Sequence, residues 1–445
     1  MDPYLGYEIA VALIIAYFGV LYALHRAGKL GPDRPLSLFG PALMTKTQRG
    51  RSLLDRWGRF RRFWSAAGDL GILLAGIAMI TIVVLLLLGA IVSFRLTPAQ
   101  APSVTEAVGL PGINPIIPLG YGIVALVIGI VLHELMHGII ARSQNIGVKS
   151  LGILWFVVPI GAFVEQDDKE MLAAPLRKRD RVAAAGILAN FALTVVFFFA
   201  LSGLVVGAVQ PVANGVIIAQ VVSNTPAANA SLVPGDIITS VNATSTPTVA
   251  QFESVLSHTI PGETVALSYY DAGLGHTVNT TLVLGSSPTV KGRGFLGVAV
   301  YSLTPAELKQ TLVWPAGSDQ GPVVGTLDWL VLPLASLEPV TGTTMGYFHL
   351  TGIWAGTSPS TFWIGANLLY WLAWMNLLLG LSNALPLFPL DGGLLFRDFA
   401  ASIAHRVKKG WSEAQVDGFA GQAVTVSSIL VLVLLVWQFV VPRLL

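Results

Sequence analysis

The stretch Val131-Leu132-His133-Glu134-Leu135-Met136-His137-Gly138 decides how the rest of the chain is read. It closes an apolar run that begins at Leu119 and ends at Ile140. On a helix, positions i and i+4 share a face. His133 and His137 therefore point the same way and suit one Zn²⁺ through neutral imidazole nitrogens. Glu134 lies beside them and suits taking a proton from a water at such a metal. Two histidines and a glutamate are costly in lipid, so they must face protein or a water-filled cavity. A merely structural pair of histidines, bonded to backbone carbonyls between helices, would leave Glu134 buried without a partner.

The composition fits that setting. Of 445 residues, 54% are hydrophobic and 11% charged, with mean hydropathy +0.71; soluble domains carry roughly a quarter charged residues. A polytopic α-helical membrane protein is expected, with the lipid bilayer as its first partner. The absence of cysteine excludes disulfides, Fe–S clusters and thiol catalysis. A net charge of +2 carries no signal for nucleic acid, and no such partner is expected. The first apolar run lacks a basic leader and a small-residue cleavage site, and reads as a retained helix.

Six segments are long enough to cross about 30 Å of hydrocarbon: Tyr4–Leu24, Leu70–Phe94, Leu119–Ala141, Val182–Val209, Phe362–Leu387 and Thr425–Val441. Lysine and arginine orient them. The loop after the first segment is strongly basic, from Arg26 to Arg62, and belongs in the cytoplasm. So do the stretch from Arg142 to Arg181 and the one from Arg397 to Lys409. The segment from Gln210 to Thr361 holds only Lys291, Arg293 and Lys309, and belongs outside with both termini. The His-Glu-x-x-His turn then lies near the cytoplasmic end of its helix. The basic loop suits contact with anionic lipid as well as a plain topogenic role.

Five regions follow: 1–68 as first helix and basic loop, 69–210 as the first half of a membrane core, 211–290 as an insert, 291–361 as an external linker, and 362–445 as the second half. Leu151–Glu165 is apolar, too short to span and broken by Pro159 and Gly161; it reads as a β-hairpin dipping into the membrane. Backbone of that kind must be buried in protein or line a cavity. Its free edge suits an extended peptide, although a hairpin that merely plugs the bundle reads equally well. In Gly186-Ile187-Leu188-Ala189-Asn190 the small residues permit close helix approach. Asn190 needs a polar partner there, as helix–helix glue or at the site. The insert resembles an extracytoplasmic α+β PDZ-like domain, on Pro226-Ala227 before Ala230, Gly235-Asp236-Ile237-Ile238, and Pro261-Gly262-Glu263 before Val265. Such modules bind peptide C-termini by strand addition. Asp328–Leu337 is apolar but short, and reads as a membrane-surface segment.

The second half supplies a carboxylate. In Asn383-Ala384-Leu385-Pro386-Leu387-Phe388-Pro389-Leu390-Asp391-Gly392-Gly393 the prolines cannot continue a regular helix. Asp391 is thus presented on broken backbone near the same face as the histidines. His133, His137, Asp391 and water make an open four-coordinate zinc site. A helix-capping role for Asp391 is the plainer reading, and His405 is the rival third ligand.

With these motifs together, the chain resembles the site-2 protease family of intramembrane zinc metalloproteases. The resemblance rests on His-Glu-x-x-His, on Asn383-x-x-Pro386-x-x-x-Leu390-Asp391-Gly392, on Gly161-Ala-Phe163-Val-Glu165 and on Gly186-x-x-x-Asn190. The inserted domain and the six segments also fit. It covers most of Leu70–Gly393; the basic loop and Lys291–Thr361 lie outside it. Many bacterial members have proline where Ala384 stands; the Asn-Ala form is similar to an archaeal and eukaryotic branch, and a prokaryotic, archaeal cell membrane is expected. The resemblance implies regulated hydrolysis of peptide bonds in or near transmembrane segments of membrane proteins. Glu134 would be the base and Asn383 a donor to the oxyanion or substrate backbone. Gly161, Phe163 and Asn190 would contact substrate. A membrane scaffold using the PDZ-like insert with structural zinc, and a metal transporter, are the competing readings.

Overall fold

The computed structural model describes residues 5–31, 34–107, 109–301, 303–313, 321, 324–326 and 342–445. The expected surface segment Asp328–Leu337 lies outside them. The chain divides into two compact units, Met1–Val195 with Trp371–Leu445, and Val196–Tyr370.

The helices that matter below are α1 (Leu5–Arg26), α2 (Arg51–Gly58), α3 (Arg61–Val92), α4 (Leu119–Ser143), α5 (Leu176–Ala183), α6 (Ala185–Ala208), α7 (Val249–Ser257), α8 (Pro359–Asn383), α9 (Asp391–Val407) and α10 (Glu413–Leu444). Among the described residues five are long and apolar enough to cross a membrane: α3 with its short extension to Arg95, α4, α6, α8 and α10. At about 1.5 Å per residue, the 25 residues of α4 reach roughly 37 Å. Several expected boundaries move. α3 begins nine residues before Leu70, and α10 begins twelve before Thr425. The fourth segment is two helices, the basic α5 and the apolar α6, meeting at Ala184.

The first unit also holds a four-stranded antiparallel sheet in the order β1-β2-β3-β4, with β1 Leu36–Phe39, β2 Ala42–Thr47, β3 Val148–Phe156 and β4 Val158–Gln166. The last two are the expected hairpin, with a corrected turn. The chain reverses at Val157, whose φ is +63°, while Pro159 and Gly161 lie within β4. Pro159 sits where the register shifts, which spares it a ladder bond. The first two strands arise from the loop that reads as merely basic, and β2 covers the second edge of β3. The sheet order leaves β4 as a terminal strand. Gly152 is required at the β2/β3 contact: a Cβ there would lie 2.2 Å from the Thr45 carbonyl oxygen.

Small residues let the helices close on one another. Gly71, Ala75 and Ala78 of α3 pack against Ala183, Ala184 and Ile187, with Ala384 and Leu395 in the same cluster. A second cluster joins Leu54 of α2, Ile140 and Ala141 of α4, Val164 of β4, Val182 of α5 and Leu188 of α6.

In the second unit, β5 (Val216–Val221), β6 (Ile237–Val241), β7 (Thr264–Asp271), β8 (His276–Val283) and β9 (Val298–Val300) form one antiparallel sheet in the order β8-β7-β6-β5-β9. Val216, Ile218, Ile238, Val265 and Leu267 alternate inward and pack on Phe252 and Leu256 of α7. Thr248 caps α7, accepting from the Gln251 amide.

Candidate metal centre

α4 places His133 and His137 one turn apart, both buried. Their Nε2 atoms face each other at 3.1 Å. Asp391, the first residue of α9, brings Oδ2 to 3.2 Å from each. The carboxylate is thus presented by a helix start rather than by irregular backbone. Gly392 makes this possible: a Cβ there would lie 2.4 Å from the Ala384 carbonyl, so only glycine lets α9 begin against the end of α8. His405, the rival ligand, pairs instead with Glu413 at 3.6 Å and is absent from the group.

The three converging atoms fit a tetrahedral zinc. Donors about 2.0–2.1 Å from one ion stand about 3.3 Å apart, and the observed edges are 3.1–3.2 Å. Asp391 Oδ2 is buried with no hydrogen-bond partner, an arrangement that calls for a cation. The outward ring nitrogens agree. His137 Nδ1 lies 2.7 Å from the Val182 carbonyl, which only accepts, so Nδ1 carries the proton and Nε2 keeps its lone pair. His133 Nδ1 lies 3.0 Å from the Asn190 amide, whose Oδ1 is otherwise buried and unpaired. Turning that amide over presents Oδ1 to an Nδ1–H, pairs the orphaned oxygen and frees His133 Nε2 as a ligand. Gly186 gives the ring its space, since a Cβ there would lie 2.2 Å from His133 Cε1.

Glu134 follows on the next position of α4, and its Oε2 accepts the Val164 N–H of β4 at 3.1 Å. That N–H points away from β3, on the terminal side of the sheet. In β4, Gly161 stands opposite Leu154 and Phe163 opposite Gly152, where its ring fills the space of the absent side chain. Asn190 touches His133. Asn383 ends α8 and donates from Nδ2 to the Leu379 carbonyl at 3.0 Å. The backbone partners Val182 and Val164 escape sequence reading, because any residue supplies a carbonyl or an amide. A polar cavity of about 870 Å³, lined by Arg34, Lys46, Arg49, Arg142, Lys149 and Glu165 among others, contains none of the converging groups.

An uncharacterized protein of Methanocaldococcus jannaschii is 36% identical over 146 residues, 33% of this chain and 39% of that protein. The zinc metalloprotease RasP of Shouchella clausii is 28% identical over 250 residues, 53% of this chain and 55% of that protein. The chain thus spans less than two thirds of either relative. The PDZ domain of an SdrC-like protein from Listeria monocytogenes, a solved structure, is 22% identical and covers 20% of this chain and 87% of that one, with a TM-score of 0.18. The family model described as Peptidase family M50 matches residues 121–417. That match covers about two thirds of the 445 residues and brackets His133, Glu134, His137 and Asp391, so the chain belongs to peptidase family M50, the site-2 protease family.

Proposed function

We propose that the chain is an intramembrane zinc metalloendopeptidase that cleaves membrane proteins in or near their transmembrane segments. The observation that carries this reading is the meeting of His133 Nε2, His137 Nε2 and Asp391 Oδ2 at 3.1–3.2 Å beside Glu134. These three residues would hold the ion. Zinc bound there supplies Lewis acidity, which makes water nucleophilic near neutral pH.

The chain's own groups do the rest. The Glu134 carboxylate takes a proton from the attacking water and returns it to the leaving amide nitrogen. Val182 and Asn190 hold the imidazoles in the ligating tautomer. A substrate helix must unwind before its peptide bonds are accessible, and strand addition to β4 would replace the hydrogen bonds it loses. Val164 N–H supports this docking reading: it faces the terminal side of β4 and is held by Glu134 itself. A substrate carbonyl that takes over this N–H releases Glu134 for proton transfer at the moment of binding. In this reading the insert selects peptide ends, and the site lies toward the cytoplasmic face.

The test is cleavage of a single-pass membrane protein by purified full-length chain in detergent, beside Glu134→Ala, with zinc measured in both. Cleavage by wild type alone, with about one zinc in each, is the expected result. A structural zinc site in a scaffold would instead give zinc in both and cleavage in neither.

A further inference from the structure

Away from the ligands, two carboxylic acids share a buried contact. Asp180 lies on α5 and Asp398 on α9; Asp398 is only 7% exposed, and Asp180 Oδ1 is buried without a partner. Burial and the neighbouring Asp398 carboxylate favour the protonated form of Asp180. Arg179 Nη2 donates to Asp398 Oδ1 at 2.8 Å. Of the other charges on the packed elements, Arg397 and Asp417 also act on Asp398, in opposite directions. Arg177 and Arg181 hold Asp69 of α3, and Arg397 holds Asp417 of α10; Lys178 has no ion-pair partner among the described residues.

We propose that Asp180 and Asp398, with Arg179, are positioning residues that seat α9 so that Asp391 meets the two histidines. The connection is short on both sides. Asp398 lies seven residues after Asp391, on the same face of α9. Asp180 lies two residues before Val182, whose carbonyl fixes His137. One turn of α5 therefore ties the His-bearing helix to the Asp-bearing helix.

The charge count sets the condition. One arginine neutralises one carboxylate, so the contact is balanced only while the pair keeps one proton between them. Burial and the facing Asp398 carboxylate push Asp180 up to about 7, and burial also raises Asp398. The hold on α9 weakens as pH rises toward about 7, and above it the second carboxylate is ionised against the first. Asp180→Asn mimics the protonated acid and leaves no proton to lose.

The metal part of this inference rests on the proposed site, so the test has two readouts. The chain has no cysteine, so Leu395→Cys places one thiol in the interface of α9. Its labelling rate is followed from pH 6 to 8.5 in the full chain in detergent, alone and combined with Asp180→Asn. Co²⁺ affinity of wild type and Asp180→Asn is titrated over the same range, where ligand ionisation cancels in the ratio. The expected result is a ratio of wild-type to Asp180→Asn labelling rates that rises at least threefold between pH 6 and about 7.5 and is level above. The Co²⁺ affinity ratio of Asp180→Asn to wild type should rise by about tenfold over the same interval. Superimposed labelling curves would overturn the proposal. Absence of Co²⁺ binding in both proteins would overturn the metal reading instead and leave labelling to decide the pair.

Discussion

Seven residues apart on α9, Asp391 and Asp398 sit in two buried polar groups that need opposite things. Around Asp391 two imidazole nitrogens and a carboxylate oxygen converge within 3.2 Å, and among the described residues Asp391 Oδ2 has no hydrogen-bond donor. Around Asp398 one guanidinium and a second carboxyl already lie in place. In the proposed reading the first group is completed by a cation and the second by a proton. The difference follows from the donors present, because a buried charge is tolerated only with its compensation. It also separates their uses: an open ligand set invites chemistry, and a closed one sets geometry.

The largest effect that sharpens this contrast is at the open group. Asp391→Ala should abolish zinc retention, read by metal analysis after gel filtration, and with it all cleavage; retention of one zinc would break the ligand assignment. Glu134→Gln should keep zinc but lower cleavage by about 10²–10⁴, the usual worth of a positioned general base. Measured cleavage within tenfold of wild type would remove Glu134 from the chemistry.

Smaller effects probe the parts that hold the ligands. Ala162 is two residues from Val164, so its N–H faces the same terminal side of β4. Ala162→Pro should leave zinc content intact, since an outward strand position tolerates proline, and reduce cleavage at least tenfold; normal cleavage would sink strand addition. Asn190→Ala removes the partner of His133 Nδ1 and should weaken zinc 10–100-fold, the range for supporting groups around metal-bound histidine. An unchanged zinc affinity would return Asn190 to helix packing.

Much of this was legible before any coordinates, and for a physical reason. His133 and His137 are fixed on one face by helix periodicity alone, and long apolar runs need no tertiary information to be recognised. Asp391 falls at the same end of the membrane core as the histidines when the segments are oriented by loop charge, and the structure brings the three side chains together. What stayed hidden depends on backbone or on distant pairing. The Val182 carbonyl and Val164 amide leave no trace in residue type. The strands Leu36–Phe39 and Ala42–Thr47 sit among so many basic residues that their alternation is masked, and β3, on which the second of them pairs, lies about a hundred residues away. Proline and glycine usually mark reversals, so the sequence points to a turn at Pro159 and Gly161, whereas Val157 takes the left-handed backbone and Pro159 uses a register shift. Gly186 reads as helix packing but makes room for the His133 ring.

The smallest expected effect tests the closed group through stability. Asp180 has a folded value near 7 against an ordinary value of 3.8. Below about pH 4 the acid is protonated in folded and unfolded chain alike, and ionisation costs nothing. Between about pH 4 and 7 the folded chain holds a proton that the unfolded chain has released, so wild-type stability falls as pH rises. Above about pH 7 both states are ionised and the loss is complete. Asp180→Asn has no such slope. Its stability relative to wild type should therefore grow from pH 4 to 7 and then stay level, in thermal unfolding of the full chain in detergent. Partial solvent access reduces the effect to on the order of 1 kcal/mol. A difference that is constant across this range would show that Asp180 keeps an ordinary acidity, and the group around Asp398 would then need no proton to be balanced.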